Sequence, residues 1–128
     1  MNSERPKKEV LLRSITLPFS TALGYGDMVF ISGTIGRDPL TGEIALGDVA
    51  EQTRQILENL KKQLELAGTS LDKVVKTTVF LVDMSQLGKM NEVYRTYFPV
   101  DPPARSTIGV ASLPEKECLV EIELIAGR

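Results

Sequence analysis

The most regular pattern of apolar and polar positions in the chain is a helical one over residues 49–67. Apolar side chains recur there every three or four positions, as at Ile56 and Leu60, with charged side chains between them. This spacing places the apolar side chains on one face of a helix. Asp48 stands where an N-cap is expected, and Gly68 supplies a stop signal. We therefore predict an amphipathic helix that packs on a flat apolar surface.

A second helical pattern extends from a predicted cap at Ser85 to about Phe98. Pro99 and the proline pair at 102–103 end this helix, because proline cannot continue the hydrogen-bond ladder. The apolar stripe of the predicted helix consists of Leu87, Met90, Val93, Tyr94 and Tyr97.

Around these helices, short runs rich in β-branched and aromatic residues predict strands. The runs are residues 9–14, 28–32 with an extension through 34–37, 74–82, 106–110 and 118–125. The cluster Gly-Tyr-Gly-Asp at 24–27 is predicted to be a turn. The order β-β-(β)-α-β-α-β-β indicates one α+β domain over residues 1–128, in which two helices cover one face of a mixed sheet. We expect residues 1–8 to form a flexible tail.

The strand pattern also characterises the face of the sheet that the helices leave uncovered. The run 74–82 carries apolar or β-branched side chains on both faces. In the last strand Leu119 and Ile125 point away from the side that carries Val120 and Ile122. A domain of one sheet and two helices has no layer to cover this second face. We therefore predict homo-oligomerisation through it.

Composition limits the chemistry that the chain can perform. Its 128 residues include no histidine and a single cysteine, Cys118. A Ser-His-Asp triad, a Cys-His dyad, a histidine-ligated zinc site and an internal disulfide are therefore excluded. An enzyme with this sequence must use arginine, carboxylate, lysine, hydroxyl or phenol groups.

Charge and hydropathy narrow the partners and the location. The formal net charge of −2 argues against a dedicated nucleic-acid binder. No apolar run approaches the roughly 18 residues that a membrane span needs. The charged first nine residues lack the apolar core of a signal peptide. We expect a cytoplasmic protein without a membrane partner.

Three features offer candidate chemistry, each with a simpler alternative. Arg105 follows a stiff proline-containing segment, and its guanidinium suits two-point carboxylate binding; the alternative is a surface ion pair. Glu121 and Glu123 share one face of an apolar strand and offer a general base that activates water; the alternative is a solvated edge or an ion pair. Ser32 and Gly33 end an apolar strand, where they either contact a ligand or form a bulge.

Several segments, taken together and in order, resemble the RidA/YjgF family of reactive intermediate deaminases. The most specific of them is Pro-Ala-Arg-Ser-Thr at 103–107. The resemblance covers nearly the whole chain, and its other segments are residues 29–33, 38–43, 52–55, 67–68, 74–81, 113–114 and 120–126.

The resemblance implies a chorismate-mutase-like fold and a homotrimer, with the helices outside and three sheets forming an inner barrel. It also implies active sites in the clefts between neighbouring subunits. Family members hydrolyse reactive 2-imino acids, which form when PLP enzymes release enamines such as 2-aminoacrylate, to 2-keto acids and ammonia. Neither a cofactor nor a metal is needed, so the resemblance predicts an enzyme of metabolite damage control whose partners are small 2-imino and 2-keto acids.

The family's functional positions can be carried over one by one. Arg105 matches the arginine that binds the substrate carboxylate, and Glu121 matches the glutamate that positions or deprotonates the attacking water. Phe19 stands where the family often has a tyrosine, and Thr107 where it often has a cysteine. The substrate-binding positions implied by the resemblance are Phe19, Ser32, Gly33, Asn91 and Thr107.

Two other functions remain open from the sequence. A non-catalytic trimer that binds small carboxylates as a regulator would use the same Arg105 pocket, and the missing hydroxyl at Phe19 favours it. Ribonuclease or translation-inhibitor activity, attributed to some family members, is disfavoured by the acidic balance and the absence of histidine.

Overall fold

Six strands form one mixed sheet in the computed structural model, which describes residues 5–128. The sheet order is β1-β2-β3-β6-β4-β5. Every neighbouring pair is antiparallel except β4 and β5, which are parallel. The strands are β1 (Lys8–Arg13), β2 (Ser20–Tyr25), β3 (Met28–Thr34), β4 (Val74–Leu81), β5 (Ala104–Gly109) and β6 (Val120–Gly127). Of the tail predicted over 1–8, residues 1–4 lie outside the described residues, and Lys8 is the first residue of β1.

Two helices, α1 (Val49–Leu66) and α2 (Leu87–Tyr97), lie side by side on one face of this sheet. The Asp48 carboxylate caps α1 by accepting hydrogen bonds from the backbone N–H groups of Ala50 and Glu51, as the sequence predicts. We call the side of the sheet that α1 and α2 cover the helix face. The core lies between this face and the helices. Its fully buried members include Val29, Ile56, Leu57, Leu60, Val79, Met90 and Ile122. The predicted α+β architecture, a mixed sheet with two helices on one face, is confirmed.

The predicted cap of the second helix is wrong. Asp83, not Ser85, caps this segment, because its carboxylate accepts hydrogen bonds from both the backbone N–H and the hydroxyl of Ser85, at 3.0 and 2.7 Å. A 3₁₀ turn at Met84–Gln86 follows, and α2 begins only at Leu87. The predicted apolar stripe is confirmed: Met90, Val93 and Tyr94 are buried, and Leu87 and Tyr97 pack against the core.

Strand β2 is missing from the sequence prediction, which assigned residues 24–27 to a turn. In the structure Gly24 and Tyr25 belong to β2, and the tight turn is centred on Gly26, whose φ is +59°. The positions that β2 buries are Ala22 and Gly24. Because these two residues are small, the alternation of apolar and polar residues that marks a strand is weak in the segment that forms β2.

The opposite face of the sheet carries no helix. We call it the open face; it includes Val10, Phe30, Phe80, Ile108 and Glu121. Phe30 and Ile108 are 40% and 44% exposed in the single chain. An apolar sheet face of this kind needs a cover, so homo-oligomerisation through it remains our prediction.

Candidate functional site

A cleft of about 710 Å³ lies on the open face where β3 ends beside β6. Strand β3 supplies Ser32 and Gly33 to its lining, and β6 supplies Glu121 and Glu123. The segment before β2 adds Phe19, whose side chain is about half exposed. Four of the seven residues that the family resemblance places in the site therefore meet in one cleft, namely Phe19, Ser32, Gly33 and Glu121.

The cleft is built around a bulge in β3. The pairing of β3 with β6 shifts between Ile31 and Thr34, where Ser32 and Gly33 together lie opposite the single residue Glu123. A Cβ atom on Gly33 would lie only 2.7 Å from Oε2 of Glu121 and 2.9 Å from its Cδ. The absence of a side chain at Gly33 therefore makes the space that the Glu121 carboxyl group occupies. The bulge predicted as one interpretation of this pair is confirmed, and contact with a ligand stays a prediction.

Ser32 anchors the bulge to the neighbouring strand. Its hydroxyl donates a hydrogen bond of 2.6 Å to the backbone carbonyl of Ser20. The hydroxyl proton is thus used within the protein, which leaves the oxygen as an acceptor toward the cleft.

Polar residues of α1 form hydrogen bonds to the segments after β3 and before β6, and sequence reasoning missed them. Asn59 donates a hydrogen bond of 2.8 Å to the backbone carbonyl of Arg37. The buried Gln52 donates to the carbonyl of Glu117 and accepts from the N–H of Leu119, at 2.9 and 2.8 Å. The available signal was Gln52 itself, a polar residue four positions before Ile56 on the apolar stripe.

The environment of Glu121 makes its carboxylate a stronger base. Partial burial raises its pKa above the ordinary value, and the negative charge of Glu123 raises the pKa further. Within residues 5–128 neither carboxylate forms an ion pair. A partly buried carboxylate with a raised pKa beside a cleft is typical of a general base.

Arg105 lies on the other side of the sheet. In the parallel ladder it pairs with Thr77, which is buried under α2, so both side chains belong to the helix face. The guanidinium carbon of Arg105 is 4.7 Å from the ring centroid of Tyr94, a cation–π contact. Tyr94 is held in turn by a 2.7 Å hydrogen bond to the Thr77 hydroxyl. The surface ion pair considered for Arg105 is not formed among the residues that the structure describes.

The remaining predicted positions accompany Arg105. Thr107 pairs with the buried Val79 and so lies on the helix face, two residues along β5. Asn91 belongs to α2, which covers the same face. Within one chain, the Arg105 group and the Glu121 group are therefore on opposite faces of the sheet.

Two further properties concern metals and membranes. In the part of the chain that the structure describes, no group of three or more acidic or cysteine residues is arranged to hold a metal ion. Neither of the helices found between residues 5 and 128 has both the length and the apolar character that crossing a membrane requires.

The chain has clear relatives. It matches the family model described as Endoribonuclease L-PSP over residues 12–127. It is 53% identical over 109 residues to a RutC family protein of Pyrococcus horikoshii, covering 85% of this chain and 86% of that protein. It is 45% identical over 109 residues to the 2-iminobutanoate/2-iminopropanoate deaminase of Mus musculus, covering 85% of this chain and 80% of the mouse protein.

A solved structure agrees with these sequence matches. The YjgF gene product of E. coli superimposes with a TM-score of 0.83 at 39% identity, covering 91% of this chain and 92% of that one. The chain therefore belongs to the RidA/YjgF family, whose family model is Endoribonuclease L-PSP. Its mixed sheet with two helices is the YjgF fold, as the resemblance implied.

Proposed function

We propose that the protein is a cofactor-free hydrolase of reactive 2-imino acids, such as 2-iminopropanoate and 2-iminobutanoate, and that it works as a cytoplasmic homotrimer. The observation that carries the proposal is the cleft in which Gly33 makes room for the Glu121 carboxyl group. The name of the mouse relative, a 2-iminobutanoate/2-iminopropanoate deaminase, supports the substrate class.

The positions of the two residue groups support a site that is shared between subunits. Glu121 is on the open face, where the proposed trimer packs its three sheets together. Arg105 is on β5, an edge strand of the sheet, where a neighbouring subunit has access to it. In this arrangement one subunit supplies the cleft, and its neighbour supplies Arg105, Asn91 and Thr107.

The proposed reaction replaces the C=N bond of the substrate by C=O. Arg105 binds the substrate carboxylate through two parallel hydrogen bonds and sets the imine carbon beside Glu121. Glu121 accepts a proton from water while the water oxygen bonds to the imine carbon, and the electron pair of the C=N bond moves to nitrogen.

The second half of the reaction releases ammonia. The proton held by Glu121 passes to nitrogen, the C–N bond of the carbinolamine breaks, and its electron pair leaves with ammonia. The carbinolamine hydroxyl gives its proton, by way of the Glu121 carboxylate, to the departing nitrogen and becomes the keto oxygen, so the nitrogen leaves with two added protons, as ammonia. One water is consumed and one ammonia is formed, so no oxidant or reductant is required.

Two alternative functions have specific support. Phe19 brings no hydroxyl to the cleft, which favours a non-catalytic carboxylate-binding regulator. The matched family model is described as an endoribonuclease. Against this second alternative, the cleft contains three glutamates (Glu115, Glu121 and Glu123) and a single arginine, Arg37, so it repels a phosphate backbone.

The deciding experiment follows keto-acid and ammonia release from 2-aminoacrylate that a PLP-dependent dehydratase generates in situ. The proposal expects the wild-type protein to accelerate release over the spontaneous rate and Glu121→Gln to lose this effect. Pyruvate binding without acceleration would instead identify a carboxylate-binding regulator. Cleavage of RNA by the wild type but not by Glu121→Gln would support the nuclease.

A further inference from the structure

The charges in the cleft do not balance. Four charged residues line it: Arg37, Glu115, Glu121 and Glu123. The Arg37 guanidinium is already used, since it pairs with the Glu115 carboxylate and donates a 2.7 Å hydrogen bond to the carbonyl of Gly42. Glu121 and Glu123 are left without a cation among the described residues.

Basic residues on the neighbouring strands do not correct this imbalance. Lys76 of β4 donates a 2.9 Å hydrogen bond to the Ser106 hydroxyl on β5, which lies on the side of β4 away from β6. Lys8 of β1 borders a second cavity of the open face that Glu123 also lines, but neither Lys8 nor Arg13 of β1 forms an ion pair with Glu121 or Glu123 among the described residues. Strand β3 carries no charged residue.

Glu123 extends the acidic character of the cleft beyond the reacting centre. It lies two residues from Glu121 on the same face of β6, about 7 Å further along the strand. In the proposed site the Arg105 of a neighbouring subunit is neutralised by the carboxylate of the substrate. A substrate held in this way, with its imine carbon next to Glu121, places its side chain within a Debye length, about 8–10 Å, of both glutamate carboxylates. An anionic side chain is repelled there, whereas neutral and cationic side chains are not.

We propose that Glu123 is a specificity-determining residue that, together with Glu121, restricts the cleft to 2-imino acids with neutral or cationic side chains and excludes dicarboxylic ones. This inference rests on the proposed deaminase function and specifies its substrate class. The negative charge of Glu121 and Glu123 also favours the protonated iminium, which is the more electrophilic form of the substrate. Exclusion of dicarboxylic substrates and activation of the imine therefore have the same electrostatic cause.

The test uses two independent measurements on the wild-type protein. The first compares kcat/KM for imino acids that an amino-acid oxidase generates from alanine and from glutamate. The second compares the affinities of 2-oxobutanoate and 2-oxoglutarate by calorimetry. We expect the dicarboxylic compound to be disfavoured at least about 10-fold in both, and the difference to shrink as salt is raised.

Variants identify the residue responsible. Glu123→Gln should reduce both the kcat/KM ratio of the two imines and the affinity ratio of the two keto acids by at least about threefold. Glu123→Asp should keep both ratios, because it keeps the negative charge. Glu92→Gln is the matched control: it removes the same charge from an exposed position on α2, on the other side of the sheet, and should leave both ratios unchanged.

The outcomes separate this inference from the proposed function. The protein could fail to accelerate hydrolysis of the alanine-derived imine and still bind 2-oxoglutarate more weakly than 2-oxobutanoate. That result would overturn the proposed deaminase function and keep the proposed selectivity against dicarboxylic ligands. Equal affinities for the two keto acids in the wild type would overturn the inference. An unchanged ratio in Glu123→Gln would also overturn it.

Discussion

The Glu121 carboxyl group lies directly over Gly33, in space that a Cβ atom on Gly33 would enter to within 2.7 Å of Oε2. This contact joins the bulge in β3 to the candidate base on β6. It explains why a glycine is needed at this position although its backbone does not have a positive φ. The cleft therefore depends on a missing side chain as much as on a carboxylate.

The first prediction concerns Gly33→Ala. The atoms nearest the added methyl group belong to the end of the Glu121 side chain, which is able to move, so we expect the variant to fold with its carboxylate displaced. Misplacing a catalytic group by about 1 Å lowers kcat/KM by roughly 10- to 100-fold. Steady-state kinetics and a melting curve check this.

Gly88→Ala is the control for this substitution. Gly88 lies in α2, and nothing is within 4 Å of a Cβ built there. The control should keep its activity and gain roughly 0.5–1 kcal/mol of stability, since alanine is the better helix former. Full activity in Gly33→Ala would show that the contact with Glu121 has no catalytic importance.

The second prediction concerns the pKa of Glu121. Burial, the larger cause, and the negative charge of Glu123, the smaller one, raise this pKa above its ordinary value. The base acts when deprotonated, so the acidic limb of the kcat/KM profile should lie above the pH expected of an ordinary glutamate. In Glu123→Gln this limb should move to lower pH, because one of the two causes is removed. If the acidic limb in Glu123→Gln stays at the pH found for the wild type, the group that titrates in the profile is not Glu121.

The second prediction extends to stability, because the same pKa shift affects the folding equilibrium. A carboxyl group whose pKa is raised by folding holds its proton more tightly in the folded state, so its contribution is present at low pH and is lost as pH rises through the folded pKa. Compared with the wild type, Glu121→Gln should therefore gain stability as pH rises from the acidic range to neutrality. Urea denaturation at several pH values measures this difference.

Much of the fold could be predicted from local signals, and the exceptions have physical causes. Helix α1 was predictable because its cap, its stripe and its stop signal agree. Strand β2 was not predictable, because the residues that it buries, Ala22 and Gly24, are small. At these positions the sequence signal for a strand cannot be told from the signal for a turn. The cap at Ser85 was misplaced because Asp83, two residues earlier, offers a carboxylate in an extended conformation.

The sequence offered candidate site residues but not their arrangement in the chain. The resemblance identified Arg105 and Glu121, yet their placement on opposite faces depends on strand register, with Thr77 beside Arg105 and Phe80 beside Glu121. No tight turn fixes the register between strands that are far apart in the sequence, so the local sequence alone does not determine which residues pair. The contact between Gly33 and Glu121 depends in addition on the β3 bulge.

The third prediction tests the structural role of Gln52. Its side chain satisfies the carbonyl of Glu117 and the N–H of Leu119 just before β6. Gln52→Ala removes both hydrogen bonds from a partly buried place, which should cost roughly 1–3 kcal/mol in the free energy of unfolding. Lys62→Ala, at an exposed position of the same helix, should change stability by less than about 0.5 kcal/mol. Equal losses in the two variants would contradict the role of Gln52.

The fourth prediction concerns Arg105. Lysine keeps the charge but loses the planar fork, so Arg105→Lys should weaken 2-oxobutanoate binding by about 10- to 100-fold, and Arg105→Ala should abolish detectable binding. Removing the contact with Tyr94 costs only about 0.5–1 kcal/mol, so the melting temperature should fall by a few degrees at most. If alanine binds as well as arginine, the carboxylate site lies elsewhere.

The last prediction addresses the shared site directly. Light scattering should give the mass of three chains if the open face is covered and the site completed as in the proposed trimer. Arg105→Ala and Glu121→Gln should each be nearly inactive alone. If the two residues of one site come from different subunits, unfolding and refolding an equal mixture should restore about a quarter of the wild-type sites, because each site then draws its arginine and its glutamate independently. No recovery from a mixture that refolds as trimers would mean that Arg105 and Glu121 act within one chain, which their positions on opposite faces of the sheet argue against.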